Sequence, residues 1–93
     1  MTYARKVDSN HADLKKVALQ MGCTVAELFR VGDDFPDLLI GAAGVDQLVE
    51  VKSDDGDLSP GQRVFHANWR GRAVAIARTR EDMVDIVNAM RKR

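Results

Sequence analysis

The chain has 93 residues, of which 45% are hydrophobic and 30% charged, and this is typical of one soluble globular domain spanning 1–93. A single cysteine, Cys23, excludes an internal disulfide and a thiolate zinc site, and we expect it to be a small buried residue. No apolar run approaches the roughly 18–20 residues of a membrane span. No apolar stretch of a signal peptide follows the first residues, so we expect a cytoplasmic protein.

The charges are balanced in total but segregated along the chain. There are 14 basic and 14 acidic residues, whereas nucleic-acid-binding domains are usually basic. Residues 33–57 contain eight acids and one base, Lys52, for a net charge of −7. The other residues contain 13 bases and six acids, for a net charge of +7. An acidic centre in a basic frame suits a metal site that faces a polyanion, although ordinary Asp-rich loops produce the same pattern.

The first predicted element is a helix that Ser9 or Asn10 can cap, with Asp13 in its first turn. Its apolar residues follow the i, i+3, i+4, i+7 spacing of one buried face and are Leu14, Val17, Ala18 and Met21. Gly22 is expected to end the helix in a left-handed conformation.

Three strands are predicted next, over residues 24–31, 37–40 and 46–52. A loop over 32–36 separates the first two strands. Residues 41–44 are rich in glycine and alanine and are expected to form a turn, which makes the second and third strands a hairpin.

A polar loop over 53–58 leads into the second helix. Ser59 is a good N-cap, Pro60 fits the first helical position, and Gln62 completes a capping box. We expect this helix to end near residue 69 or 70, before Gly71.

A short strand over 73–77 and a helix capped by Thr79 complete the chain, with Glu81 and Asp82 in the first turn. The apolar stripe of this helix consists of Met83, Ile86, Val87 and Met90. The element order is therefore α-β-β-β-α-β-α. It indicates an α/β fold in which helices flank one mixed sheet.

The third strand carries the strongest candidates for catalytic and metal-binding residues. Because side chains alternate along a strand, Glu50 and Lys52 share one face while Val49 and Val51 point into the core. Asp37, at the start of the partner strand, can approach Glu50. Two carboxylates and a backbone carbonyl would suit Mg²⁺ or Mn²⁺. The alternative is a charged strand that faces solvent.

These residues also carry a family resemblance. Pro36-Asp37 followed by Glu50-Val51-Lys52 resembles the signature of PD-(D/E)XK nucleases, and the element order is similar to their αβββαβ core with an added C-terminal helix. More narrowly, the chain resembles phage VRR-NUC nucleases and, more loosely, archaeal Holliday-junction resolvases. The stretches that support the resemblance cover most of the chain: 5–10, 22–25, 31–33, 36–41, 48–52, 58–62 and 69–71.

The resemblance implies a role for each matching residue. Asp37 and Glu50 would ligate Mg²⁺ or Mn²⁺ through their carboxylates, Val51 would ligate through its backbone carbonyl, and Lys52 would be the catalytic lysine. Gln62 matches the family's helix glutamine, which lies close to the active site. The same glutamine can complete the capping box, and the two roles are compatible if the helix N-terminus faces the site.

One position departs from the family pattern. Related resolvases carry a glutamate on the first helix that contributes to the metal site, and His11 stands where it is expected. Asp13 is the nearest acid but points about 200° away around the helix. Either His11 substitutes, through a water molecule, or the site uses fewer protein ligands. His66, one turn after Gln62, could also face the site, although a histidine on the helix surface is the commoner arrangement.

Several basic residues lie close to aromatic ones and are candidates for contacts with DNA phosphates: Arg5, Lys6, Arg63, Arg70 and Arg72. Trp69 is expected to pack under its helix, with stacking on DNA as the alternative. The Asp-rich run 54–57 resembles a calcium loop but lacks the 12-residue EF-hand pattern, and we interpret it as a loop beside the active site.

The resemblance implies a metal-dependent, structure-selective DNA endonuclease of a phage or prophage that acts in the host cytoplasm on Holliday junctions or related branched DNA. The rival hypothesis is a non-catalytic DNA- or protein-binding module that retains the nuclease fold. A chain of this size offers little surface for DNA, and a homodimer would double that surface.

Overall fold

The computed structural model describes residues 10–92, in which three helices and four strands follow the predicted order. The elements are α1 His11–Gln20, β1 Thr24–Glu27, β2 Leu38–Ala42, β3 Val45–Val51, α2 Pro60–Asn68, β4 Ala75–Ala77 and α3 Arg80–Arg91. The α/β fold class is therefore confirmed. Three residues that the sequence analysis singled out, Arg5, Lys6 and Ser9, lie outside the described residues.

The four strands form one sheet in the order β1-β2-β3-β4. β1, β2 and β3 pair antiparallel, whereas β3 and β4 pair parallel, so the sheet is mixed as predicted. The expected hairpin is present, but its turn is shorter than residues 41–44. Only Ala43 and Gly44 turn, and their φ values of 54° and 75° are both positive, as a type I′ hairpin turn requires. β2 therefore continues to Ala42.

The prediction of a strand over residues 24–31 is wrong beyond Glu27. The N–H of Leu28 still donates to the carbonyl of Asp37. The chain then turns, and the N–H of Val31 donates to the carbonyl of Leu28. Left-handed backbone follows at three successive residues: Gly32 (φ 77°), Asp33 (54°) and Asp34 (61°). Such a run cannot continue a strand, and it brings the chain round to Phe35 beside α2.

The hydrophobic core lies between the sheet and the pair α1 and α3. We call this side of the sheet the core face, and it presents Leu38, Ile40, Val49 and Val51. Those residues pack with the buried side of the two helices, which consists of Leu14, Ala18, Met83, Val87 and Met90. Cys23 is buried in the same cluster, where burial raises the pKa of its thiol. The predicted apolar stripes of the first and last helices are therefore confirmed, with Ile86, Val17 and Met21 at the margin of the core.

α2 packs on the opposite side of the sheet, which we call the α2 face. The predicted capping box is present: the Ser59 hydroxyl accepts from the Gln62 N–H at 3.2 Å, and the Gln62 amide oxygen accepts from the Ser59 N–H at 2.9 Å. The helix ends at Asn68, slightly before the expected residue. No side chain of α2 is fully buried. Its position depends instead on a few specific contacts, which include an aromatic cluster of Phe35, Phe65 and Trp69.

The first and last helices begin differently. Thr79 and Asp82 form a reciprocal capping box at the start of α3, as predicted. Asn10 occupies the N-cap position of α1, yet its side chain makes no cap hydrogen bond. Gly22 follows α1 with a φ of 86°, the left-handed conformation expected of it. Over residues 10–92, no helix has both the length and the apolar character needed to span a membrane.

Candidate active site

The alternation of side chains along β3 places Glu50 on the α2 face. Val49 and Val51, on either side of it, are buried in the core at 0% and 1% exposure. Glu50 is also 0% exposed, although it points away from the core. The alternative of a charged strand facing solvent is therefore wrong for Glu50, because its side chain is fully buried and its carboxylate contacts Gln62 and His66 of α2.

Asp37 lies next to Glu50 at the end of the hairpin. Leu38 pairs with Val49, so continuing the antiparallel register by one residue places Asp37 opposite Glu50 on the same face. Directly opposed residues of this kind have Cβ atoms about 4.5–5.5 Å apart. Oδ2 of Asp37 accepts a hydrogen bond from the N–H of Val51 at 2.8 Å. A side-chain oxygen thus satisfies the last N–H of β3 and fixes the Asp37 carboxylate at the site.

Two side chains of α2 converge on Glu50. Nε2 of Gln62 donates to Oε2 of Glu50 at 3.4 Å, and Nε2 of His66 lies 3.3 Å from Oε1. The two residues are four apart and therefore share one side of the helix. Gln62 thus closes the capping box with its amide oxygen and contacts Glu50 with its amide nitrogen, so the two placements considered for it are compatible.

His66 is a site residue that the sequence analysis placed on the helix surface. Its side chain is only 13% exposed. Burial, and secondarily the charge of Lys52, lowers the pKa of His66 below its ordinary value, which favours the neutral imidazole. The neutral tautomer with its proton on Nε2 can donate to Glu50. The four-residue spacing from Gln62 was the signal for this position.

Lys52 is held at the site by its backbone. Its N–H donates to the carbonyl of Ala77 at 3.0 Å, and its own carbonyl accepts from Nδ2 of Asn10 at 3.0 Å. Nδ2 of Asn10 also donates to the carbonyl of Arg78 at 2.8 Å. Instead of capping α1, the Asn10 side chain joins the ends of β3 and β4. Strand alternation directs the half-buried Lys52 side chain to the α2 face, consistent with its effect on His66.

His11 lies on the other side of the sheet. Its Nε2 is 2.9 Å from Oε1 of Glu27, and Nζ of Lys15 is 2.6 Å from Oε2 of the same carboxylate. Glu27 pairs with Leu38, whose side chain is on the core face, whereas Glu50 is on the α2 face. A contribution of His11 to the metal site through water stays a prediction.

The candidate phosphate-binding arginines among the described residues are all exposed. Arg63 lies on α2, and Arg70 follows that helix. Arg72 is more constrained, because its Nε donates to Oε1 of the buried Gln47 at 2.5 Å. Trp69 stacks on Phe65 with ring centroids 5.3 Å apart but remains 41% exposed, so it packs against its helix only in part.

The Asp-rich loop 53–58 is held by Arg78. The Arg78 guanidinium donates to the carbonyl of Ser53 at 2.9 Å and also to the carbonyl of Gly56. Since Lys52 directly precedes this loop, Arg78 fixes the backbone on that side of the candidate site.

The donor set available for a metal ion consists mainly of oxygen atoms. Within residues 10–92, no group of three or more His, Cys, Asp and Glu side chains is placed to hold a metal ion. Asp37 and Glu50 nevertheless supply two adjacent carboxylates, which are the hard donors that Mg²⁺ and Mn²⁺ favour. Mg²⁺ commonly keeps several water ligands and binds through one or two carboxylates, so this pair fits such an ion.

Comparison of the chain with protein-family models, with curated proteins and with solved structures finds no match. The functional assignment therefore depends on the residues of the site and on their geometry.

Proposed function

We propose that the protein is a metal-dependent endonuclease of the PD-(D/E)XK type that hydrolyses phosphodiester bonds in branched DNA. The observation that carries this proposal is the buried carboxylate of Glu50 (0% exposed), which lies beside Gln62, His66 and Asp37. Burying a carboxylate is costly, and a hydrophobic residue on β3 would pack under α2 without that cost. Functional use of the carboxylate explains why it is there.

Each residue of the site has a distinct role in the proposed reaction. Asp37 and Glu50 would hold a divalent cation with the carbonyl of Val51, and the bound cation would supply Lewis-acid charge at the scissile phosphate. The ammonium of Lys52 would orient the attacking water and stabilise negative charge that develops on the phosphate. Gln62 contacts Glu50 through its amide and keeps that carboxylate oriented.

The hydrolysis itself is an in-line displacement. The oxygen of water forms a bond to phosphorus, the bond from phosphorus to the 3′ oxygen breaks, and the water's proton is transferred away while the 3′ oxygen gains one. The products are a 3′-hydroxyl and a 5′-phosphate. We propose that this reaction takes place in the cytoplasm of a host cell, with a four-way junction as the natural substrate class.

Electrostatics supports a substrate that is bound with the help of a cation. The chain has zero net charge and its acids are concentrated in residues 33–57, so the site itself repels phosphate when no cation is bound. Exposed Arg63 and Arg70, on and after α2, provide positive charge close to the site. We therefore expect weak DNA binding in EDTA and tighter binding when a divalent cation is present.

Cleavage of a synthetic four-way junction and of a plasmid, each with Mg²⁺, Mn²⁺ or EDTA, tests the proposal. The native chain is expected to cleave only with a divalent cation. Lys52→Ala and Asp37→Asn are expected to reduce the rate by about 10²–10⁴-fold, the range that single catalytic groups contribute. Lys16→Ala, an exposed substitution on α1, is the matched control and should retain the native rate. Cleavage that persists in EDTA or in both site variants would contradict the proposal.

A non-catalytic DNA-binding module is the second candidate, and the position of His11 favours it. The residue that stands in place of the helix-one acid is engaged with Glu27 on the core face. The site then has fewer protein ligands than related resolvases. Metal-dependent binding of a junction with no cleavage by the folded protein would support this candidate.

A further inference from the structure

The pairing of β3 and β4 ends beside Lys52, and a side chain takes over from the backbone there. Val51 and Ala77 are the last pair in the register of these parallel strands. One residue further on, Nδ2 of Asn10 donates to the carbonyl of Lys52 at 3.0 Å and to the carbonyl of Arg78 at 2.8 Å. The Asn10 amide thus bridges the two segments at the point where the strands stop.

The Arg78 side chain holds the next carbonyls of the same segment. Its guanidinium donates to the carbonyl of Ser53 at 2.9 Å and also to the carbonyl of Gly56. Two side chains from outside the segment 52–56 therefore bind three of its carbonyls. We call Asn10 and Arg78 the carbonyl clamp.

Asn10 gives up local hydrogen bonds to take part in the clamp. An asparagine at the N-cap position ordinarily accepts a hydrogen bond from an N–H of its own helix, but the Asn10 side chain makes no such bond with α1. Its Oδ1 is buried and has no hydrogen-bond partner within residues 10–92. Because burying an unsatisfied polar atom is unfavourable, both observations indicate that the two donors of the amide are what this position requires.

The clamped segment connects two parts of the candidate active site. Lys52 lies at its start, and α2 begins shortly after its end. The candidate metal ligands are held by other contacts, since Asp37 accepts from the N–H of Val51 and Glu50 contacts side chains of α2. A loss of the clamp is therefore expected to move Lys52 more than the metal ligands.

We propose that Asn10 is a positioning residue that acts through Lys52. The inference rests on the proposed function, because that function gives Lys52 a part in phosphodiester hydrolysis. A displacement of about 1 Å at a reacting group can cost about 10²-fold in rate. The ammonium of Lys52 would act in the transition state rather than in substrate binding. A loss of the clamp should therefore lower kcat and leave KM unchanged.

Cleavage of a synthetic four-way junction with Mn²⁺ tests the proposal. Asn10→Ala removes both donors and is expected to lower kcat by about 10–10²-fold, with KM and Mn²⁺ affinity within about twofold of the native values. Arg78→Ala removes the other half of the clamp, should lower kcat in the same way, and provides the test if Asn10→Ala does not fold. Asn88→Ala, an exposed substitution on α3, is the matched control and should retain the native kcat. Thermal unfolding shows which variants are folded at the assay temperature.

A double-mutant cycle distinguishes positioning of Lys52 from a general structural role. In a Lys52→Ala background the clamp has no ammonium to position, so Asn10→Ala is expected to change the residual single-turnover rate by less than about twofold. If the two losses multiply instead, Asn10 acts independently of Lys52 and the proposal is overturned.

Hydrogen exchange followed by NMR reports on the clamp without any cleavage. The N–H of Lys52, which donates to the carbonyl of Ala77 at 3.0 Å, is expected to exchange about tenfold faster in Asn10→Ala. The N–H of Val51 donates to Asp37 and should exchange at its native rate. Unchanged exchange at Lys52 would show that Asn10 does not fix this part of the backbone.

The cleavage results separate this inference from the proposed function. A native chain that cleaves the junction, together with Asn10→Ala and Arg78→Ala variants that match its kcat, would overturn the inference and leave the proposed function intact. A native chain that cleaves no junction with any divalent cation would contradict the proposed function, and the inference with it.

Discussion

Nε2 of His66 lies 3.3 Å from Oε1 of Glu50, a carboxylate with no surface exposed to solvent. Gln62, one turn earlier on α2, reaches the other oxygen of the same carboxylate. Since α2 adds no fully buried side chain to the fold, contacts with Glu50 are among the few interactions that position this helix. The helix and the carboxylate therefore hold each other in place.

Replacing His66 by leucine should weaken metal binding more than it weakens folding. The substitution removes a donor near Oε1 of Glu50, and outer partners of metal ligands commonly contribute about 10–100-fold in affinity. We expect a loss of Mn²⁺ affinity in that range by titration calorimetry, and a parallel loss of cleavage. His66→Gln, which keeps an N–H donor, should recover part of the affinity.

The control for this experiment is Val64→Ala on the exposed side of the same helix, where Val64 is 59% exposed. It should leave Mn²⁺ affinity unchanged. Equal affinity in native protein and His66→Leu would show that His66 does not act through Glu50.

Replacing Asp37 separates its structural contact from its proposed chemistry. Asp37→Asn keeps an oxygen that can accept from the N–H of Val51, so its free energy of unfolding should stay within about 1 kcal/mol of the native value. Asp37→Ala leaves that N–H without its 2.8 Å partner and should lower the free energy by about 1–3 kcal/mol. Urea denaturation measures both.

The cleavage rate is expected to fall by about 10²–10⁴-fold in both Asp37 variants, because neither retains the carboxylate. If Asp37→Asn destabilises the fold as strongly as Asp37→Ala, the hydrogen bond to Val51 is not what Asp37 contributes to folding.

Local rules predicted the helices and the hairpin well. The start of α2 was predicted from Ser59, Pro60 and Gln62, and the start of α3 from Thr79. Both predictions were possible because capping depends on residues only a few positions apart. The alternation along β3 likewise predicted which residues point into the core. These features depend on near neighbours in the chain, so the amino-acid order is enough to identify them.

Features that depend on distant partners were not predictable in the same way. Asn10 is a residue type that commonly caps helices, yet its side-chain amide donates hydrogen bonds to carbonyls 42 and 68 residues away. The apolar content of residues 28–31 suggested a longer β1, whereas the N–H of Val31 donates to the carbonyl of Leu28 and the chain turns there. The sequence favoured a surface position for His66, whereas in the fold its side chain contacts Glu50 of β3. For Asn10 and His66, the interaction that overrides the local sequence signal involves a residue that is distant in the chain.

The start of α2 is also coupled to the left-handed turn before β2. A Cβ added at Gly61 would overlap the carboxylate of Asp34, which lies against the N-terminal turn of the helix. Gly61→Ala should therefore displace Asp34 and remove about 0.3–1 kcal/mol of stabilisation that the Asp34 carboxylate gains from the helix dipole. This loss offsets the gain in helix propensity when alanine replaces glycine.

In an Asp34→Gly background the carboxylate that the added methyl group would overlap is absent, and glycine suits the φ of 61° at position 34. Gly61→Ala should then be more stabilising than in the native chain, by about 0.3–1 kcal/mol in a double-mutant cycle. A cycle in which the two substitutions are additive would contradict the coupling.

The cluster of His11, Lys15 and Glu27 predicts a pH-dependent contribution to stability. The hydrogen bond from Lys15, followed by that from His11, lowers the pKa of Glu27 below its ordinary value of 4.5. A carboxyl whose pKa is lower in the folded state contributes stability fully above 4.5, and this contribution disappears as the pH falls through the lowered value. Because the Glu27 side chain is 34% exposed, solvent screening limits the contribution to less than about 1 kcal/mol.

Glu27→Gln should therefore lower the free energy of unfolding at pH 7, and the difference from native protein should close as the pH falls below 4.5. Urea denaturation across this range measures the difference at each pH. Asp85→Asn, an exposed substitution on α3, is the control and should change stability by less than about 0.5 kcal/mol throughout. A difference between Glu27→Gln and native protein that persists unchanged under strongly acidic conditions would show that the ion pairs with Lys15 and His11 are not its source.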